Sequence, residues 1–114
     1  MIQKEQAWIR GNAVTYPISR QGEIHVGRSI QCSLRLFEDT SVSPKHCVIA
    51  FVNGRLEVTD LNSRTGTTVN GRRISGPTQL QHQDTISIGE TELTVLFELN
   101  RNDGTTPPEF TLKS

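Results

Sequence analysis

The chain has 114 residues, of which 33% are apolar, 5% aromatic and 21% charged, with 12 basic and 12 acidic side chains and no formal net charge. That length holds one domain core, and so few apolar residues predict a thin core between two packed layers rather than a deep bundle. The neutral balance argues against bulk attraction to nucleic acid or to an anionic membrane, while leaving room for a local basic site.

Short alternating segments separated by turn signals predict strands throughout. Ala7 to Arg10 is the first, closed by Gly11-Asn12. Val14 to Ile18 is the second, and Pro17 places it at a sheet edge because proline cannot donate to a ladder. Glu23 to Gly27 and Leu34 to Phe37 follow. His46 to Val52 sets Cys47, Ile49 and Phe51 on one face. Asn53-Gly54 predicts a two-residue hairpin, since both residues tolerate positive φ. Arg55 to Leu61 returns with Leu56 and Val58 on one side. A second Asn-Gly, Asn70-Gly71, joins Thr67–Val69 to Arg72–Ile74. Thr85 to Ile88 and Thr91 to Leu99 are the last strands. No window keeps a helical period, so the expected class is all-β, a sandwich or a barrel. Residues 100–114 are turn-rich and core-poor and read as a flexible tail. The chain is thus expected to divide into a domain over 1–99 and a tail over 100–114.

No apolar run approaches the ~20 residues of a membrane span, and Met1 to Gln6 does not read as a secretory signal. Cys32 and Cys47 are too few for a disulfide scaffold, and the single Trp8 precedes both rather than lying between them. They are expected to be reduced, buried thiols of an intracellular protein, cytoplasmic or, in a eukaryote, nuclear. Trp8 is expected to be a packing residue.

Charge is distributed unevenly. Residues 25–73 carry seven basic and four acidic side chains, whereas 74–99 carry four acidic ones and no basic one. Three of the basic residues lie in turn-like segments: Arg28 after Gly27, Lys45 in Ser43-Pro44-Lys45-His46, and Arg64 in Asn62-Ser63-Arg64-Thr65-Gly66. Loops at one end of a sandwich cluster together. A guanidinium fork with hydroxyls and backbone N–H groups suits a phosphate or carboxylate. Ser43, His46 and Asp60 also invite a hydrolase reading. Ser43 and His46 share one short turn, however, with no strand-to-helix elbow around the serine. No Cys-x-x-Cys or His-x-x-x-His spacing suggests a metal, and no cofactor is expected.

The order of motifs resembles the forkhead-associated domain over roughly residues 7–99. The carriers are Gly27-Arg28, Ser43-x-x-His46, Asp60-Leu61-Asn62-Ser63, Gly66-Thr67 and Val69-Asn70-Gly71. The resemblance implies a two-sheet sandwich of about eleven mostly antiparallel strands with binding loops at one end. It implies a non-enzymatic module that recognises phosphothreonine peptides as a protein–protein interaction adaptor in kinase-dependent signalling. Arg28 then matches the phosphate-binding arginine, Ser43 the serine whose hydroxyl joins it, and Arg64 a further phosphate contact. Asn70 matches an asparagine that shapes the binding face. Gly27, His46, Gly66 and Gly71 are implied as structural support, His46 by bracing the loop beneath the site. Thr65 departs from the pattern, because the family usually has an asparagine there that bonds the ligand's backbone, and a threonine hydroxyl is shorter with one donor rather than two. The implied partner is a threonine-phosphorylated protein or peptide, with no nucleic acid, no membrane insertion and a monomeric state. The alternative is the same fold binding partners without phosphate, through its strand faces or edges.

Overall fold

The computed structural model describes residues 4–11, 14–19 and 22–99. Eleven strands form among the described residues: β1 (Lys4–Arg10), β2 (Thr15–Ser19), β3 (Glu23–Gly27), β4 (Leu34–Arg35), β5 (Cys47–Val52), β6 (Arg55–Asp60), β7 (Thr67–Val69), β8 (Arg72–Arg73), β9 (Thr78–Gln79), β10 (Thr85–Ile88) and β11 (Thr91–Leu99). They make a six-stranded sheet in the order β2-β1-β11-β10-β7-β8 and a five-stranded sheet in the order β4-β3-β5-β6-β9. Every pairing is antiparallel except β3 with β4. The expected all-β sandwich of about eleven strands is therefore the observed architecture. The tail expected over 100–114 lies outside the described residues.

Alternation puts one face of each long strand into the space between the sheets. Ala7 and Ile9 from β1, Ile24 and Val26 from β3, Cys47 and Ile49 from β5, and Leu56 and Val58 from β6 are buried there. They meet Ile86 and Ile88 from β10 and Leu93, Val95 and Phe97 from β11. Trp8 has the opposite parity. It faces out of this core, half-buried, in register with Pro17 on one side and Leu96 on the other. Cys32 and Cys47 are free and buried, and burial pushes the Cys47 thiol up to about 12, with the nearby Asp60 carboxylate adding to the effect.

β2 is an edge strand, as Pro17 requires. Both Asn-Gly pairs form tight hairpins with positive φ at each residue, 54° and 80° at Asn53-Gly54 and 53° and 84° at Asn70-Gly71. β4 is shorter than its sequence suggests. It stops at Arg35 because the chain turns after Leu36, whose N–H donates to the Gly27 carbonyl at 2.8 Å. β9 has no alternating signal of its own, being two residues after Gly76-Pro77 that pair with Glu57 and Val58.

Candidate functional site

Three loops leave the sheets close together: 28–33 after β3, 36–46 between β4 and β5, and 61–66 between β6 and β7. What joins them is a set of hydrogen bonds between residues far apart in sequence.

The first joint is backbone to backbone. Arg28 N–H donates to the Ser43 carbonyl at 3.1 Å, Ser29 N–H to the Pro44 carbonyl at 3.1 Å, and His46 N–H to the Val26 carbonyl at 2.9 Å. The 43–46 turn is thereby laid along the end of β3. It approaches so closely that a Cβ on Gly27 would fall well inside contact distance of the Pro44 carbonyl oxygen. Only glycine fits there, so the Gly27-Arg28 pair delivers the arginine at the point where the two segments touch. Cys32 Sγ donates to the same Pro44 carbonyl at 3.2 Å, and Arg35 Nε donates to the Arg28 carbonyl at 3.1 Å.

The second joint is His46, which is fully buried. Its Nδ1 accepts from Ser43 N–H at 3.0 Å, and its Nε2 lies 2.8 Å from the Gly66 carbonyl. A backbone N–H can only donate and a carbonyl can only accept, so the ring carries its proton on Nε2. One imidazole therefore holds the 43–46 turn and the 61–66 loop at a fixed spacing.

Asp60 shapes the second loop from within. Its carboxylate accepts from Ser63 N–H at 3.0 Å, Ser63 Oγ at 2.6 Å and Thr67 Oγ1 at 2.7 Å, while Ser63 Oγ in turn accepts from Gly66 N–H at 2.9 Å. Burial pushes the Asp60 carboxyl up, but the Ser63 and Thr67 hydrogen bonds outweigh it and leave the group below the usual carboxylate range. Asn62 and Gly66 take the left-handed conformations, φ 59° and 85°, that close the loop. Asp39 does the same for the neighbouring 36–46 loop, accepting from Ser41 N–H and Oγ, Glu90 N–H and Thr91 Oγ1. These bonds, the Ser41 hydroxyl's first, hold its carboxyl down to about 2 against a small opposing effect of burial.

The cluster brings together four of the expected site residues. Ser43 Oγ accepts from Arg64 N–H at 2.9 Å, so the hydroxyl's oxygen is oriented while its own proton has no acceptor among the described residues. Arg28 Nε is buried and has no hydrogen-bond partner. A guanidinium nitrogen in that condition costs free energy until something accepts from it. Arg64 Nη2 donates to the Thr40 carbonyl at 3.0 Å, which holds the side chain across to the 36–46 loop. Thr65 Oγ1 donates to the Ser41 carbonyl at 3.0 Å. Its single proton therefore fastens two loops together.

Asn70 is not drawn into the cluster by any bond. Its Nδ2 donates to Asp84 at 2.9 Å and its Oδ1 accepts from Thr85 N–H at 2.9 Å, locking the β7–β8 hairpin to the start of β10. Gly71 completes that hairpin with open space around it.

The Ser43, His46 and Asp60 trio has no relay geometry. His46 bonds the serine's backbone N–H, not its hydroxyl, and its other nitrogen is committed to a carbonyl. Asp60 bonds Ser63 and Thr67. A groove of about 540 Å³ lies beside the cluster rather than in it, lined by buried Leu34 and Leu93 and by exposed Val14 and Phe37. Arg35 lies on its wall with its guanidinium 5.2 Å from the Phe37 ring centre.

Two contributors escaped the sequence reading. Asp39 signals only a local turn through Asp39-Thr40-Ser41, with nothing to mark its reach to Thr91. Arg73 was visible only within the charge count. Its guanidinium lies against Gly66, at the edge of the cluster.

Among solved structures the chain is similar to an FHA domain solved for phosphothreonine-dependent interactions, with 31% identity, a TM-score of 0.74, and coverage of 82% of this chain and 97% of that one. It is similar to the FhaA FHA domain in complex with the intracellular domain of Rv3910, with 33% identity, a TM-score of 0.70, and coverage of 78% and 98%. It is also similar to the MEK1 FHA domain in complex with a phosphothreonine peptide of HOP1, with 30% identity, a TM-score of 0.71, and coverage of 81% and 96%. No curated protein matches the chain. The FHA domain family matches residues 24–89, a span that holds Gly27-Arg28, the Ser43–His46 turn and the Asp60–Gly66 loop, and the chain belongs to the FHA (forkhead-associated) domain family.

Proposed function

We propose that this FHA domain recognises phosphothreonine in a partner protein and acts as an adaptor in kinase-dependent signalling, without catalysis of its own. The observation that carries this reading is the buried, unpartnered Nε of Arg28. It lies on a residue whose backbone is bonded to Ser43, a serine with an oriented hydroxyl. Two donors that the protein leaves unmatched suit a dianion. A phosphothreonine carries about −1.5 to −2 charges and three acceptor oxygens at neutral pH. That one similar domain is solved with a phosphothreonine peptide and another for phosphothreonine-dependent interactions supports the same ligand class here.

A hydrogen bond to a charged group is worth about 1.5–3 kcal/mol, and ~1.4 kcal/mol is tenfold in affinity. Arg28→Ala is therefore expected to weaken binding to a phosphothreonine peptide by about tenfold or more. The measurement is titration calorimetry on peptides selected from a phosphothreonine library, each beside its unphosphorylated twin. Equal affinity of parent and variant for the best peptide, or equal affinity of the two peptide forms for the parent, would overturn the assignment.

A further inference from the structure

We propose that Arg73 forms a second anion subsite beside the phosphothreonine site, taking a carboxylate or a second phosphate on the same peptide. The proposal rests on the phosphopeptide reading above and deepens it.

The first observation is where the guanidinium lies. Gly66 sits in the left-handed region at φ 85°. A Cβ built on it would fall 2.7 Å from Arg73 Nε, 2.9 Å from Cζ and 3.1 Å from Nη2. Three atoms of one planar group at nearly equal range mean that the guanidinium lies across the glycine backbone. Any side chain at position 66 would push it off. Gly66 directly follows Thr65, and its carbonyl is the one His46 holds. Arg73 is thus placed against the same loop that supplies Arg64 N–H to Ser43.

The second observation is that the group is uncommitted. Arg73 is exposed. Among the described residues its side chain has neither a hydrogen bond nor a carboxylate within ion-pair distance. Arg64, which the sequence nominates as the extra phosphate contact, has its Nη2 on the Thr40 carbonyl. Thr65 holds the Ser41 carbonyl rather than presenting its proton to a ligand. Thr65 and one nitrogen of Arg64 are therefore engaged on the 36–46 side, while the Arg73 guanidinium, lying over Gly66, keeps all its donors. A planar fork with five N–H donors recognises a carboxylate or phosphate through two parallel bonds.

The neighbouring arginine supplies the control. Arg72 and Arg73 are consecutive in β8, so their side chains leave opposite faces of the strand. Arg72→Gln and Arg73→Gln remove the same charge within one residue of each other. Only the second removes the guanidinium over Gly66.

The test is a positional scan on the folded domain. One phosphothreonine peptide with neutral flanks is compared with versions carrying a single aspartate at each position from four before to four after the phosphothreonine. Versions with a second phosphothreonine at the preferred position separate the two sources of the anion. Parent, R72Q and R73Q are titrated against the set by fluorescence anisotropy. The parent is expected to favour an acidic residue by about fivefold at one position or two adjacent ones, with the preference shrinking as salt rises. R73Q should lose that preference, weakening binding of the acidic peptide by several-fold more than that of the neutral one, and R72Q should keep it. No positional preference in the parent overturns the proposal. So does an equal effect of R72Q and R73Q, which would mark general attraction, or an equal loss by R73Q on neutral and acidic peptides. If the parent binds neutral phosphopeptides but shows no preference, the second subsite alone falls. If it binds no phosphorylated peptide, the functional reading and this one fall together.

Discussion

β6 ends in two very different ways. At its start, Asn53-Gly54 turns the chain in two residues, with φ 54° and 80°, and nothing lies within 4 Å of where a Cβ on Gly54 would be. At its finish, Asp60 opens a loop of six residues that also uses positive φ, at Asn62 and Gly66. The first turn is held by its own dihedrals and the ladder behind it. The second is held by partners at positions 41, 43 and 46, between 20 and 24 residues away. The difference teaches what a recognition loop requires. A turn that only reverses the chain can be local, whereas a loop that must keep donors at fixed spacing has to be fastened to its neighbours. The comparison can be broken at each fastening.

His46 should give the largest effect. His46→Ala removes a fully buried ring and leaves both the Ser43 N–H and the Gly66 carbonyl without partners. A loss of about 3 kcal/mol in unfolding free energy is expected from the cavity and the stranded polar groups. Affinity for phosphopeptide should fall as well, because Ser43 and Arg64 lose their common brace. Urea denaturation and calorimetry on the same variant check the two effects. A variant of parental stability would mean that the loop is not held through the imidazole.

A smaller effect comes from Asp39, which fastens the 36–46 loop to the β10–β11 turn through Glu90 and Thr91. Its carboxyl titrates at about 2 in the fold and near 3.9 when unfolded. A depressed pKa means a contribution that is complete above the unfolded value and is lost as pH falls through the folded one. The parent should therefore lose stability from pH ~4 down to pH ~2. Asp60, also held low by its hydroxyl partners, adds to the same slope. Asp39→Asn should be less stable than the parent at pH 7 and converge with it near pH 2. Denaturation midpoints across that window decide the matter, and parallel curves would count against the Asp39 clamp.

The same contrast separates what could be read in the sequence from what could not. Strand alternation around Ile49, Val58 and Ile86 is a period-2 pattern, and the Asn-Gly turns are dipeptides, so both are written locally. The motif order placed Arg28, Ser43 and His46 at one end of the sandwich. Arg64 shows the limit. Its position in the cluster was legible, but the direction of its guanidinium depends on the Thr40 carbonyl, which no spacing rule reaches. The two bonds of Asn70, to Asp84 and Thr85, are beyond spacing rules for the same reason. β9 is too short to carry a period and exists because Glu57 and Val58 offer it an edge.

The mildest substitutions give the cleanest form of the comparison. Asn53 and Asn62 flank β6 on its two sides and share nearly the same backbone angle, φ 54° and 59°. Alanine tolerates that region less well than asparagine, so each change to alanine should cost a similar amount, about 0.5–1 kcal/mol. The readouts should then diverge. Strain at Asn53 has only a solvent-facing turn to distort, and Asn53→Ala should bind phosphopeptide as the parent does. Strain at Asn62 falls between Asp60 and Arg64, and Arg64 N–H is what orients the Ser43 hydroxyl. Asn62→Ala should therefore weaken binding by about two- to threefold, the affinity equivalent of roughly half a kcal/mol. If both variants bind equally well, the 61–66 loop tolerates strain as freely as the hairpin does. Its long-range fastenings would then serve folding alone and not the spacing of the site.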